Sequence, residues 1–405
     1  MTDVPTSPEQ NNSNGTSSLG RKRNLPILVV SASLIGAAGT ILYALMQPLV
    51  LRLGGSMAIV GVVISLSSLS TMLPMFIFGE YSDTVGRRRP MIVASLLLLV
   101  AGLLFWTASY WLILIPAVLM VGFAFALNYP ASSAATSESV PGNRRGRAFA
   151  YRSAGRLLAG VVATLLGIVT VRRGDLQSAF FLSIVFVLIN LGFIYFLLSE
   201  TLVSPRQASP VRLFQKLRQN LKIHPKLKAL YIYIAILDPL AFDTGWVLMP
   251  ALLTNFQGVR PDQILLYTMI QSLIAGLLQL ISVAGRLADR SRKWGMVLAD
   301  SIAVPSILAV ALFPSESIFL VSYMMLGFAN GFFGPAITAY VVDHVPQERV
   351  AAELGKFWSS RGLAGMFPPI LGSFLAATYG FSAPLFVNVA VGVFSVAFLV
   401  WKLQG

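Results

Sequence analysis

The chain contains twelve long runs of mostly apolar residues, and short polar connections separate them. Each run has roughly 18 to 24 residues, the length that a helix needs to cross the roughly 30 Å hydrocarbon core of a bilayer. A segment inside the bilayer must satisfy its own backbone hydrogen bonds, and these runs lack the alternation of barrel strands. The sequence therefore predicts an all-α integral membrane protein with twelve transmembrane helices. The predicted spans are about 26–48, 57–78, 91–109, 111–136, 148–171, 176–198, 230–254, 263–284, 295–313, 317–341, 350–377 and 382–402.

Composition narrows the function classes that such a chain can serve. Hydrophobic residues make up 56% of the chain and charged residues 11%, which is too apolar for a water-soluble globule. The formal net charge is +14, but the cations lie in short loops between apolar runs, so we expect no nucleic-acid partner. The chain has no Cys and only two His, so we expect neither a metal site nor a cofactor.

The Lys and Arg residues divide unequally between the two sides of the predicted bundle. Of the 30, 24 lie on the side that carries residues 21–23, residues 87–89 and the long central loop, and four lie on the opposite side. Cytoplasmic loops of membrane proteins carry the excess of cations. The sequence therefore predicts a multi-pass protein of the plasma (cell inner) membrane with both termini in the cytoplasm.

The second half of the chain repeats the first. Glu138-x-Val140-Pro141 matches Asp343-x-Val345-Pro346 at an offset of 205 residues, and Arg156 matches Arg361 at the same offset. A polar turn that begins at Gly79 is echoed 206 residues later at Gly285. Constant spacing over about fifty residues predicts two six-helix pseudo-symmetric bundles, related by an axis along the membrane normal.

Four segments follow from these boundaries. We expect a disordered cytoplasmic tail at 1–24, a first bundle at 25–198, a cytoplasmic central loop at 199–229 and a second bundle at 230–405. Within the loop, Ser209-Pro210 can begin a helix with Val211, Phe214, Leu217 and Leu221 on one face. We expect this amphipathic helix to lie on the anionic leaflet, with membrane lipids as partners; a solvated basic linker is the alternative.

The connection between the second and third spans carries a motif that consists of Gly79, Asp83, Gly86, Arg87 and Arg88. Together with twelve spans in two halves and a long middle loop, the motif resembles that of the major facilitator superfamily over nearly the whole chain after the tail. The family usually has Arg or Lys directly after the Asp, where this chain has Thr84. The second copy, at Gly285, Asp289 and Arg290, keeps that cation. The resemblance implies a transporter that works by alternating access between the two halves.

This motif has a physical interpretation as a gate. Asp83 can accept hydrogen bonds from the open N–H groups at a helix N-terminus, and the small Gly79 lets a neighbouring helix approach closely. The family's arrangement implies that Asp83 meets the eleventh span and Asp289 the fifth, which would hold the cytoplasmic side closed. Acidic partners for Arg87, Arg88 or Arg290 are Glu138 and Asp343, each three residues before a Pro. For Glu138, an ordinary interfacial charge is the alternative.

Four ionisable residues lie deep within predicted spans, namely Arg156, Asp238, Asp243 and Arg361. Such groups are costly in a membrane, so each is a functional hypothesis. Residues of a regular helix are about 100° apart, so Asp238 and Asp243 would point about 140° apart, with only one facing the pathway. We favour Asp243, between Pro239 and Gly245, as the proton carrier; a structural ion pair is the alternative. Each Arg can hold an anionic substrate group or neutralise an Asp.

Further polar and aromatic residues are candidates for the substrate cavity. Aromatic side chains within spans also serve packing and interface anchoring, which is the alternative for each of them. The candidates are Asn128 and Tyr129 in the fourth span, Trp246 in the seventh, Gln271 and Gln279 in the eighth, Asn330, Phe332 and Phe333 in the tenth, and Trp358 in the eleventh.

The pattern around the fourth and fifth spans is most similar to the drug–proton antiporters of the superfamily. Their fifth span usually carries a Gly-Pro kink, whereas here Gly and Pro occur in the eleventh span, at Gly365 and Pro368. We therefore expect a monomer that exports a small-molecule substrate in exchange for protons. Proton-symport uptake of a small metabolite is one alternative, and a non-transporting polytopic membrane protein is another. An enzyme is disfavoured because the sequence offers few groups for a catalytic set near the interface.

Overall fold

The computed structural model describes residues 9–141, 145–202, 225–284, 292–345 and 350–403. Every regular element within these ranges is a helix. Eleven helical segments are long and apolar enough to cross a membrane, and a helix pair bent by 44° makes a twelfth span when it is counted as one. The predicted all-α membrane architecture is confirmed.

The first half of the chain contributes six helices. Helix α2 packs on α4, α1 packs on α5 and α6, and α3 packs on α4 and α6. Fully buried apolar side chains such as Ile41, Leu98 and Phe180 fill the space between them. The bounds are Glu9–Arg52 (α1), Met57–Val85 (α2), Arg88–Thr107 (α3), Leu114–Glu138 (α4), Arg145–Arg173 (α5) and Ser178–Leu197 (α6).

The second half is built from more and shorter helices because two of its spans are broken. The seventh span consists of α7 to α9, and the eleventh consists of α13 and α14 on either side of 365–367. The bounds are Lys228–Ile232 (α7), Asp238–Phe242 (α8), Met249–Gln257 (α9), Pro261–Ala284 (α10), Arg292–Leu312 (α11), Glu316–Asp343 (α12), Val350–Ala364 (α13), Pro368–Tyr379 (α14) and Ala383–Lys402 (α15).

Two helix bounds differ from the sequence expectations. Helix α1 extends back to Glu9, although the polar composition of 1–24 predicted a disordered tail. Adding residues to an existing helix is easier than nucleating one, so the apolar span can propagate into polar residues. Helix α2 runs through to Val85, so the Gly79 segment is the last part of a helix and the turn itself is only two residues long. The amphipathic helix predicted in the central loop lies outside the described residues.

The two halves pack against each other through helices α1, α2 and α5 of the first half. Helix α5 lies on α10, α2 on α13 and α14, and α1 on α9. We call the end of the bundle where α2, α4 and α12 finish, at Val85, Glu138 and Asp343, the turn end. The opposite end, where α1 and α5 finish at Arg52 and Arg173, is the far end.

Candidate functional site

The seventh span is interrupted around its two carboxylates. A π-helical turn covers Tyr233–Leu237 just before α8, and the helix stops again after Phe242. Pro239 contributes because it has no N–H to donate within the helix. Buried Asn388 of α15 bridges the second break: its Oδ1 accepts from the N–H groups of Gly245 at 2.8 Å and Trp246 at 2.9 Å. Its Nδ2 donates to the Leu240 carbonyl at 3.0 Å, so one side chain satisfies three freed backbone groups.

Arg361 of α13 binds both carboxylates of the seventh span. Its Nη1 donates to Asp243 Oδ2 at 2.6 Å and its Nη2 donates to Asp243 Oδ1 at 3.0 Å, which is a two-pronged ion pair. Its Nε lies 2.9 Å from Asp238 Oδ2, an ion pair whose N–H is not aligned for a hydrogen bond. We call Asp238, Asp243 and Arg361 the charge triad. The side chains of Asp238 and Asp243 are 5% and 15% exposed, so Asp243 is the more accessible of the two.

The sequence predicts that only one of Asp238 and Asp243 faces the pathway, yet both carboxylates pair with Arg361. The backbone from Asp238 to Phe242 is α-helical, and Asp243 caps it in a helical conformation, so the two side chains still leave the helix in different directions. A guanidinium also presents Nε on one edge and its Nη groups on others, so Arg361 can bridge two carboxylates that diverge. Trp246, a predicted cavity residue, follows the second break, and its ring packs on Tyr323 with centroids 4.9 Å apart.

A third carboxylate lies near the charge triad and was missed by sequence reasoning. Asp300 of α11 is buried, and it accepts hydrogen bonds from the hydroxyls of Tyr233 and Ser395, each at 3.1 Å. It is close enough to Asp238 for their charges to interact. The signal was present, because Asp300 lies eight residues into the helix that begins at Arg292, well past the interface.

The first half has two Arg residues within α5 at the corresponding depth. The side chain of Arg156 is exposed, lies against Gly36 of α1 and is close to Tyr129 of α4. Arg152, one turn earlier, donates to the hydroxyls of Ser132 and Ser133, and its guanidinium carbon lies 6.0 Å from the centre of the Tyr129 ring. No carboxylate pairs with either Arg in the part of the chain that the structure describes.

At the turn end, Gly86 and Glu200 fix the start of α3. Glu200, just after α6, accepts from the N–H groups of Arg87 at 2.8 Å and Arg88 at 3.1 Å. Gly86 has a φ of +97°, and a side chain there would collide with the Glu200 carboxylate, so only Gly fits. Burial raises the pKa of Glu200, but the backbone N–H groups that surround its carboxylate lower the pKa more, and the pKa lies below its ordinary value.

The acidic and basic residues of the motif form one cluster. Arg87 Nη1 lies 2.5 Å from Asp83, and Arg87 Nη2 lies 2.9 Å from Glu138. The corresponding pair in the second half joins Arg292 to Asp343 at 3.0 Å, and both partners lie 205 residues after their counterparts. Sequence reasoning expected Arg290 at that position, but Gly285, Asp289 and Arg290 lie outside the described residues. Arg88 donates to the carbonyls of Ile194 and Tyr195 in α6.

One expectation for the gate changes with the structure. Gly79 is not a point of close approach, since a Cβ added there would lie 3.7 Å from Pro130 of α4, an ordinary contact distance. Helix α2 meets the eleventh span closely elsewhere, where Gly61 faces Ser373 and Gly362 faces Met72. The predicted contact of Asp83 with the start of the eleventh span involves residues before Val350 that lie outside the described ranges.

At the far end, a neutral side chain joins the two halves. Gln47 of α1 is buried; its Nε2 donates to the Val247 carbonyl at 2.7 Å, and its Oε1 accepts from the Ala251 N–H at 3.2 Å. Arg172 of α5 adds an ion pair with Asp262 of α10 at 2.9 Å. Sequence reasoning missed Gln47 because a single uncharged polar residue in a span gives little signal.

The remaining predicted cavity residues are scattered. Asn128 is buried, and its Oδ1 is without a hydrogen-bond partner among the described residues. Asn330 is exposed. Gln279 accepts a hydrogen bond from Ser153 at 2.8 Å across the interface of α5 and α10. The others pack locally: Gln271 against Gly327, Phe333 beside Tyr233, Phe332 against the apolar core and Trp358 against Phe357.

Comparison with known proteins places this architecture in a family. A family model described as Major Facilitator Superfamily matches residues 28–237 and 231–404. The multidrug resistance protein MdtG of Dickeya zeae (strain Ech586) is 24% identical over 396 residues, which cover 95% of each chain. MdtG of Rahnella sp. (strain Y9602) is 22% identical over 396 residues, 95% of this chain and 94% of the relative.

Solved structures show the same fold at lower identity. The human organic anion transporter MFSD10 (TETRAN) aligns with a TM-score of 0.71 and 17% identity, over 94% of this chain and 99% of its own. A D-xylose–proton symporter aligns with a TM-score of 0.71 and 16% identity, over 94% and 97% of the two chains. At such identities the likeness establishes the fold alone.

Proposed function

Since the chain belongs to the major facilitator superfamily and is therefore a membrane transporter, we propose that it exports small organic molecules from the cytoplasm in exchange for protons. Relatives named as multidrug resistance proteins align with it over nearly their whole length, which supports export of amphipathic molecules. The substrate passes between the two halves, which expose it to one side of the membrane at a time.

The observation that carries proton coupling is the composition of the charge triad. Two carboxylates share one guanidinium, so the ionised triad has an excess of one negative charge in a low-dielectric environment. One proton removes that excess and still leaves Arg361 paired with a carboxylate. The triad can therefore load and release a proton without ever leaving an isolated buried cation, and the proton belongs to the pair of carboxylates.

The broken seventh span can link binding of a proton at the charge triad to a change in the conformation of the protein. Asp243 terminates α8, and Asn388 holds the backbone on the other side of the break. Protonation of either carboxylate weakens its pairing with Arg361, which couples α8 to the eleventh span. We therefore place the coupling between proton and conformation at the contact of these two broken spans.

Gating contacts lie at opposite ends of the bundle. The Arg87–Glu138 and Arg292–Asp343 pairs, with Gly79, Asp83, Gly86 and Arg88, shape the turn end, and Gln47 links the halves at the far end. Opening to one side requires that the contacts between halves at that side break. The second copy of the motif, at Gly285, Asp289 and Arg290, is proposed to act in the same way.

Orientation and assembly complete the proposal. The excess of Lys and Arg at the turn end supports a cytoplasmic position for that end and for both termini, in a bacterial-type inner membrane. The bundles at 25–198 and 230–405 then move as the two units of alternating access, joined by the 199–229 loop on the lipid surface, in a monomer.

The experiment uses the purified chain in proteoliposomes with a pH difference across the membrane. Exchange with protons predicts that a transported probe accumulates inside when the lumen is acidic. Uptake by proton symport predicts accumulation when the exterior is acidic. A panel that contains rhodamine 6G and radiolabelled naphthalene-2-sulfonate, with protein-free liposomes as the control, distinguishes these outcomes. Accumulation that ignores the pH difference contradicts proton coupling.

A further inference from the structure

We propose that Arg156, with Arg152 and Tyr129, forms a binding site for the acidic group of the substrate, so that this transporter exports organic anions with an aromatic or apolar body. This inference rests on the proposed export function and names its substrate class. The acidic group is a carboxylate or a sulfonate, since both present the paired oxygens that a guanidinium binds through two N–H groups.

Arg156 lies deep within the fifth span. It lies 11 residues after the start of α5 at Arg145, about 16 Å along the helix at the α-helical rise, which places it near the middle of the span. An exposed cation at this depth faces either lipid or an internal space. Placing the charge against lipid costs several kcal/mol more than placing it in an internal space. The direction of the side chain therefore shows whether Arg156 can serve as a binding residue.

The lipid-facing side of α5 can be read from its exposed apolar residues. In the stretch of α5 after Arg156, the exposed large apolar residues are Val162, Leu165, Leu166 and Val169, each more than 40% exposed. At about 100° per residue, these four lie about 80° to 180° round the helix from Arg156. Arg156 instead lies on the side where Gly36 and Thr40 of α1 meet the helix, beside the interface with α10. Its exposed guanidinium therefore faces the space inside the bundle.

Arg156 differs from its repeat counterpart because no carboxylate pairs with it among the described residues. Arg361, the repeat counterpart of Arg156, is paired with two carboxylates. At the same offset of 205, the positions of those carboxylates correspond to Ser33 and Ala38, and the span Asn24–Arg52 contains no acidic residue at all. The two halves thus keep the cation at the same place, and only the second half supplies anions for it. A cation at membrane depth without a counter-charge is costly, and a ligand that brings an anion removes that cost.

The surroundings of Arg156 favour an anion over any other ligand. Arg152 lies one helical turn away and close enough for the two positive charges to repel each other. Its guanidinium is held in place by Ser132 and Ser133, so it cannot turn away. A single anion relieves the repulsion and meets both charges. Tyr129 is 51% exposed beside them, and its ring offers a surface on which the body of the ligand can stack.

The test measures thermal stabilisation of the purified full chain in nanodiscs by naphthalene-2-sulfonate and by naphthalene-2-sulfonamide, which share a body and differ in charge. We expect the sulfonate to stabilise the protein at concentrations at least tenfold lower than the amide, because binding to the folded state raises its stability. Arg156→Gln should remove this preference and Arg156→Lys should retain part of it. The matched control Arg147→Gln changes an exposed Arg at the start of the same helix and should keep the preference.

A second measurement protects the test against a variant that fails to fold. The chain has no Cys, so Tyr129→Cys carries a single reactive thiol. The sulfonate should slow maleimide labelling of this thiol several-fold, and the sulfonamide should not. Equal stabilisation and equal protection by the two probes would overturn the inference, as would an unchanged preference in Arg156→Gln.

Three further outcomes separate this inference from other accounts. If anionic lipid in the nanodisc abolishes the effect of the sulfonate, and Arg156→Gln removes that lipid effect, a lipid headgroup occupies the site and the inference fails. If rhodamine 6G accumulates under a pH difference while the sulfonate neither binds nor accumulates, proton-coupled export stands and the substrate class is wrong. If the sulfonate binds as expected and no probe responds to pH, the anion site stands and the export function fails.

Discussion

The guanidinium of Arg361 donates two hydrogen bonds, at 2.6 and 3.0 Å, to the carboxylate of Asp243, which lies 118 residues earlier in the chain. The same cation pairs with Asp238 at 2.9 Å, so the eleventh span binds both acidic residues of the broken seventh span. The charge triad ties a titratable unit to two interrupted helices. Loss or gain of one proton therefore changes the attraction between two spans whose helices are both interrupted.

Replacing Arg361 should destabilise the folded protein, and neutralising Asp238 and Asp243 in the same variant should restore most of the stability. Arg361→Gln leaves two buried carboxylates without a counter-charge, and breaking a buried ion pair in this way costs about 3–5 kcal/mol. We expect Arg361→Gln to lower the unfolding free energy by that amount, measured by chemical denaturation in detergent at neutral pH. The combination of Arg361→Gln with Asp238→Asn and Asp243→Asn should recover most of the loss. A triple variant as unstable as the single one would show that the charges are not the reason.

Asn388 should stabilise the folded protein more than a buried Asn with a single hydrogen bond does. Asn388→Ala leaves the N–H groups of Gly245 and Trp246 without their partner, and each unsatisfied buried group costs about 1–3 kcal/mol. The Leu240 carbonyl loses one donor and keeps the Thr244 hydroxyl at 2.9 Å. Asn190→Ala is the matched control, because Asn190 is equally buried and donates one bond to Ser95. The thermal unfolding midpoint should fall further for Asn388→Ala than for Asn190→Ala. Equal decreases would contradict a special role at the break.

Gln47 should bias the protein toward closure at the far end. Gln47→Leu removes both bonds to the seventh span, and we expect a shift toward the state open at the far end by about 1–3 kcal/mol, or roughly 5- to 150-fold. A single Cys at Tyr43, an exposed position of α1, reports this as faster labelling by an impermeant maleimide from the far side. Gln177→Leu is the control, since Gln177 bonds only the carbonyls of Trp106 and Ala108 among the described residues. Unchanged labelling in Gln47→Leu would exclude this link as a gate.

Ionised Glu200 should contribute to the stability of the folded protein in a pH-dependent way. The pKa of its carboxyl is lower in the folded protein than its ordinary value of 4.5, because backbone N–H groups stabilise the ionised form. The contribution to stability is therefore fully present above pH 4.5 and is lost as the pH falls through the lowered pKa. Glu200→Gln should reduce stability by about 1 kcal/mol at pH 7, as the loss of a helix cap does. The difference from the wild type should shrink below pH 4.5, and a constant difference down to pH 3 would refute the capping role.

Features that repeat along the chain, or whose length is set by the thickness of the membrane, could be predicted from the sequence. Runs of about 20 apolar residues predicted the spans, and the 205-residue offset linked Arg156 to Arg361. The pairing of Arg87 with Glu138 also followed from opposite charges at adjoining helix ends. These inferences succeed because each depends on local composition or on regular helical geometry.

Features that depend on broken backbone could not be predicted. The argument that Asp238 and Asp243 point about 140° apart did not anticipate that one guanidinium of the eleventh span pairs with both. Asn388 and Gln47 are neutral residues whose importance comes from carbonyl and N–H groups that only tertiary structure frees. The first motif looked like a loop because of its charges, although α2 continues through Asp83 to Val85.

The measurement that tests the account most directly compares Asp243→Asn and Asp238→Asn in proteoliposomes. Either substitution leaves one carboxylate paired with Arg361, a neutral unit without the excess charge that draws a proton. Both variants should exchange labelled substrate across the bilayer at near wild-type rates and should lose accumulation driven by an acidic lumen. Asp175→Asn, an exposed residue of the loop after α5, should retain it. If both triad variants still accumulate substrate under the pH difference, the charge triad does not carry the coupling proton.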